Sequence, residues 1–187
     1  MIRVQQILQV LAAGVIITAL SCSTVRVETD YDPETDFGSL QTYAWMPDPP
    51  AVSSDPLLHN SLLDSRVRSA VDRALAAKGI RKVSAEEASF LVNYYISLEH
   101  KIRVDSIPVS NYGYRGAGWR GGLLIEARVH QYDEGTLILD VVDPQKNELL
   151  WRGSGSTQAG KTSTPEARKK KIDEIVSKLL ATFPPNP

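Results

Sequence analysis

The chain has 187 residues, 42% of them hydrophobic and 23% charged, enough for one domain with a real core. Its net charge of −1 excludes the strong basic field that nucleic acid or an anionic surface selects. A single cysteine excludes an intramolecular disulfide, so the core alone must hold the fold.

Arg3 and an apolar run from Ile7 to Leu20 open the chain, and Ser21 is a small residue directly before the only cysteine, Cys22. The run is too short to cross a bilayer comfortably and reads as an export signal. It resembles a bacterial lipoprotein signal, which implies cleavage between Ser21 and Cys22 and acylation of the Cys22 sulfur with chains such as palmitate. Ala19-Leu20-Ser21 also fits ordinary secretory cleavage, and its leucine lies two residues before the cysteine rather than the three of the commonest lipobox. An ordinary cut, however, would leave an unpaired thiol on an exported protein; lipidation accounts for both its presence and its position. At about 0.8 kcal/mol per buried methylene, several chains on one cysteine hold a protein to a membrane where one chain would not. The expected organisation is a signal peptide over residues 1–21 and one domain over 22–187. Ser23 resembles residues that permit sorting to an outer membrane, so the expected location is the cell envelope, on the periplasmic face of the outer membrane where the host has two.

In the mature chain, Val25 and Val27 alternate with Arg26 and Glu28 as in a strand, Asp32-Pro33 turns it, and Thr42 to Trp45 forms a second short strand. A Pro-, Ser- and Asp-rich loop over 47–56 leads to a helix, with Asp55 as cap and Pro56 as first residue, an apolar stripe of Leu63, Val67, Ala70, Val71, Ala74 and Leu75, and Gly79 as its stop. Ser84 to Glu87 fits a capping box for one short turn. The period then changes to two: Phe90, Val92, Tyr94, Ile96, Leu98 and Ile102 share a face opposite Asn93, Ser97, Glu99, Lys101 and Arg103, a long strand with one wet side. Residues 123–132, 136–143 and 149–156 read as three more strands, joined by hairpin connections at Asp133-Glu134-Gly135 and Pro144 to Glu148. Ser163 to Glu166 fits a second capping box, opening a helix with the stripe Ile172, Ile175, Val176, Leu179, Leu180 and Phe183 that ends at Pro184-Pro185. Two amphipathic helices and a sheet with one apolar face predict an α+β two-layer sandwich, its sheet mainly antiparallel and both helices on one face.

Tyr31-Asp32-Pro33, Thr42-Tyr43-Ala44-Trp45, Lys78-Gly79-Ile80, the run from Gly135 to Asp143, Trp151-Arg152-Gly153 and Phe183-Pro184-Pro185 together resemble, in order, the family of the domain of unknown function 4136. The resemblance spans essentially the mature chain and implies an envelope lipoprotein; it carries no catalytic residues to transfer. Asp140, Asp143, Trp151 and Arg152 match its positions and read as hairpin and sheet-packing residues.

The search for chemistry finds little. His59, His100 and His130 lack ligand spacing, although the last two could meet across strands. No serine sits in a G-x-S-x-G elbow. Asp30, Asp32, Glu34 and Asp36 are spaced like a calcium loop, but Thr35 replaces its glycine and Gln41 its final glutamate, leaving a solvated acidic turn. No cofactor or metal is expected. The one suggestive segment is Asn111 to Gly122, where Tyr112, Tyr114 and Trp119 interleave with Arg115, Arg120 and five glycines. Aromatic faces stack on sugars and arginines hold carboxylate or phosphate, so this is the candidate binding loop, for a glycan or an envelope protein rather than nucleic acid; a loop that only connects two strands is the plainer reading. The expected function is a non-enzymatic envelope lipoprotein, anchored in membrane lipid through acylated Cys22, that binds a partner or maintains the envelope. The alternatives are an accessory subunit of an envelope transport or assembly complex and, less well supported, a hydrolase of envelope polymer.

Overall fold

The computed structural model describes residues 25–47, 58, 60–109, 124–159 and 164–185. The period-two run becomes the spine of the molecule: strand β4 (Phe90–Val109) pairs antiparallel with β5 (Leu124–Val142) over their whole lengths. Around this ribbon, β1 (Arg26–Tyr31), β2 (Thr42–Trp45), β3 (Arg81–Lys82) and β6 (Leu149–Ala159) complete a six-stranded sheet of order β1-β6-β5-β4-β2-β3. The pairs β1–β6, β6–β5 and β5–β4 are antiparallel, while β2 runs parallel to both β4 and β3. Helices α1 (Ser61–Ala77) and α2 (Pro165–Leu180) pack on one face, giving the expected α+β sandwich with an open sheet.

Four local expectations are corrected. Asp133-Glu134-Gly135 is not a hairpin: β5 runs straight through it, Asp133 facing His100 and Ala159, and Gly135 facing Leu98 and Thr157. The turn-forming composition loses because uninterrupted β4 offers a template to both halves, with a cross-strand hydrogen bond between His100 and Asp133 and an ion pair from Glu134 to Lys101 of the kind that favour a register. The first helix starts at Ser61, capped by the Asn60 side chain, which accepts the Leu63 N–H at 2.9 Å; Asp55 and Pro56 lie outside the described residues. The second is capped by Thr164, whose hydroxyl accepts from the Ala167 N–H at 3.2 Å, one residue after Ser163, itself outside the described residues. That helix stops at Leu180, so Phe183 reaches the core from beyond its end.

The helix-side face of the sheet alternates large and small. Trp151 is fully buried, and a Cβ at Gly153 would lie 2.3 Å from its ring; a Cβ at Gly155 would lie 2.8 Å from Ile175 of α2. The two glycines therefore form a trough, filled by the indole and by the apolar stripe of α2. Phe183 closes one end, its ring 5.3 Å from that of Trp151, 5.7 Å from Phe90 and 6.1 Å from Phe37. Helix α1 is pinned by two carboxylates: Asp64 accepts from the Tyr94 hydroxyl, and Asp72 from the Tyr43 hydroxyl and the Trp45 indole N–H, all within 2.9 Å. Burial, and then the bonds to these carboxylates, push both phenols well above their ordinary pKa, so they remain donors.

On the opposite face, Asn93 and Asp140 are buried among the residues expected to be wet. Register explains the row: Asn93 faces Asp140, which faces Arg152, which faces Asp30, and Arg152 lies over Asp140 with two hydrogen bonds.

Candidate functional site

Length mismatch creates the site. A helix of 17 residues is about 26 Å long at 1.5 Å per residue, whereas a strand of 20 residues runs about 66 Å at 3.3 Å per residue. The helices therefore cover only the half of the ribbon nearest Phe90, and the β4–β5 pair projects past their first turns. Where the cover ends, a groove of about 930 Å³ opens between the starts of α1 and α2 and the sheet.

Its floor comes from the helix side of the ribbon: Ile96 and Leu98 of β4, Gly135 and Leu137 of β5, and Thr157 of β6. One wall is Leu62, Leu63, Arg66 and Val67 of α1, the other Arg168, Lys171, Ile172 and Ile175 of α2. Leu62 is 66% exposed and Leu98 40%, so the apolar surface is open to the groove. Beyond the His100–Asp133 pair, which interrupts it, exposed Ile102, Val104 and Val129 lie on the same face of the ribbon, the last opposite Val104. Cations sit at the rim, and among the described residues the lining contains no carboxylate, imidazole or thiol. Both helices begin here, adding the positive ends of two helix dipoles.

None of the sequence-predicted site residues is among the described residues that line the groove. Ser21 and Cys22 lie outside the described residues, as do Tyr112, Tyr114, Arg115, Trp119 and Arg120, which fall between the end of β4 and the start of β5. His59 lies outside them too. His100 and His130 do not meet: His100 pairs with Asp133, while His130 faces Arg103 and approaches Asp105 at 3.8 Å, on the other side of the ribbon. The acidic run is local turn structure. Asp32 accepts from the Glu34 N–H and the Thr35 hydroxyl, bonds that hold its carboxyl below the ordinary value, and Asp36 accepts from the Gly38 N–H. Asp143 caps the β5–β6 turn by accepting from the N–H groups of Gln145 and Lys146. Asp143, Trp151, Asp140 and Arg152 thus occupy the hairpin and packing roles expected of them.

None of the groove residues stands out by motif. The signal present in the sequence is misfit: Leu62 falls off the α1 stripe, and Leu98 and Ile102 continue an apolar face past the reach of α1 and α2.

A protein-family model described as Domain of unknown function (DUF4136) matches residues 27–185. No curated protein matches the chain by sequence. Among solved structures, a PDZ domain protein from Parabacteroides distasonis is similar with a TM-score of 0.55 at 11% identity, over 88% of this chain and 36% of that one. The chain thus spans little more than a third of that protein, and the likeness concerns the fold alone. The PelC dodecamer from Paraburkholderia phytofirmans gives a TM-score of 0.47 at 11% identity, over 84% of this chain and 96% of that one.

Proposed function

The chain belongs to the family of the domain of unknown function DUF4136, and on that premise we propose that it is a membrane-anchored bacterial envelope lipoprotein whose domain binds a ligand or partner without catalysing a reaction. The observation that carries the binding role is the groove, an open, largely apolar trough with cations in its lining, the form of a ligand site. The anchoring half rests on Cys22 following the apolar run from Ile7 to Leu20 behind Ser21. With Ser23 next, the proposed place is the periplasmic face of the outer membrane in a host with two membranes.

Detergent phase separation of envelope fractions tests the anchor. Wild type is expected in the detergent phase and Cys22→Ala in the aqueous phase. Equal partitioning of the two would contradict anchoring through this cysteine.

A further inference from the structure

We propose that the groove holds a single-chain anionic amphiphile, a long-chain fatty acid, with its chain along Ile96, Leu98 and Leu137 and its carboxylate between Arg66 and Arg168. This rests on the binding role proposed above and names the ligand. The volume, about 930 Å³, lies within the ~300–1,000 Å³ of small-molecule sites. Apolar side chains from both the sheet and the helices, Leu62, Leu63, Ile96, Leu98, Leu137 and Ile172 among them, line the groove, and its cations all come from the helices. Several other helix cations are paired within the protein, Arg68 with Asp64, Arg73 and Lys169 with Asp173, and Lys178 with Glu174. Arg66 and Arg168 have no ion-pair partner among the described residues, although they flank the groove from opposite walls. A guanidinium pair can grip one carboxylate through directed N–H bonds, and the positive ends of α1 and α2 favour the same charge. A neutral lipid would leave both arginines unused. The exposed leucines provide what a carboxylate alone would not need, a surface that gains from covering by hydrocarbon.

The test uses the full-length anchored protein in phosphatidylcholine nanodiscs, labelled with a photoactivatable palmitic acid and mapped by mass spectrometry of the cross-linked peptides. Labelling is expected to saturate on peptides containing Leu62, Ile96 and Leu98, and palmitate should compete about tenfold better than hexadecanol, as expected for a charge-assisted contact. Arg66→Gln and Arg168→Gln, both at the groove rim, should each lower labelling roughly threefold, the scale of an exposed charge pair. Leu98→Glu, at an exposed strand position, should abolish it while circular dichroism stays unchanged. Labelling outside the groove, equal competition by hexadecanol, or no effect of either arginine variant would overturn the proposal. So would label that enters only Cys22→Ala protein, which would assign the groove to the protein's own acyl chains, or only monomers separated from a self-associated form, which would assign it to a second copy. Partitioning of the Cys22→Ala protein reads the anchor separately, so loss of fatty-acid binding with anchoring intact refutes the ligand alone.

Discussion

Arg152 grips Asp140 with both arms of its guanidinium, Nε to Oδ1 at 2.7 Å and Nη2 to Oδ2 at 2.6 Å, across the β5–β6 register on the face opposite α1 and α2. The carboxylate side chain is only 5% exposed and the guanidinium 46%. The arginine thus acts as a lid that remains partly in water while its partner is fully committed. Its hydrogen bonds to Asp140 also raise its pKa above the ordinary value, so it stays charged at every usable pH.

Removing only the lid strands a buried charge. Arg152→Leu should destabilise the protein by about 3 kcal/mol, whereas Asp140→Leu with Arg152→Leu should recover most of that loss, since the penalty is an unpaired carboxylate rather than a missing attraction. Chemical denaturation of the two single variants and the double variant measures it. A double variant as unstable as Arg152→Leu would contradict this account.

The Trp151–Gly153 pair sets a steric prediction. With 2.3 Å between a would-be Cβ and the indole, Gly153→Ala must displace the fully buried Trp151 from its contact with Phe183. Overpacking of this kind costs about 1–3 kcal/mol. Thermal denaturation should show the loss, and near-ultraviolet circular dichroism should report the altered indole environment.

Asp72 predicts acid sensitivity. Burial pushes its carboxyl up, but hydrogen bonds from Lys82, Tyr43 and Trp45 and the charge of Lys82 outweigh burial, and the net shift is below the ordinary 3.8. A depressed folded pKa means that protonation favours the unfolded chain. The stabilisation is therefore fully present above the unfolded value and is lost as pH falls below 3.8 through the folded one. In Asp72→Asn this contribution should vanish, giving a flatter stability curve over that acid range. Asp72→Ala should cost about 2 kcal/mol at neutral pH, because the buried Tyr43 hydroxyl loses its acceptor.

Periodicity made much of the fold legible. The stripes of both helices, the long β4 run and the β5–β6 turn at Asp143 follow from spacing and turn chemistry. What periodicity cannot convey is which segments pair: the parallel placement of β2 beside β4 and the two-residue β3 are set by long-range register, with Thr42 and Ser89 exchanging side-chain and backbone bonds across 47 positions. The misread turn at Asp133-Glu134-Gly135 has the same origin, local composition overridden by a partner strand. The groove was legible only in part, because an apolar residue left uncovered looks identical in sequence to one covered by a helix; the difference lies in how far each helix reaches.

The central claim, a lipid-anchored protein beginning at Cys22, is tested most directly by the intact mass of protein extracted from bacterial membranes. The account predicts a chain starting at Cys22 and carrying added acyl mass, absent from Cys22→Ala. A mature chain that starts at Cys22 without added mass and remains soluble would contradict it.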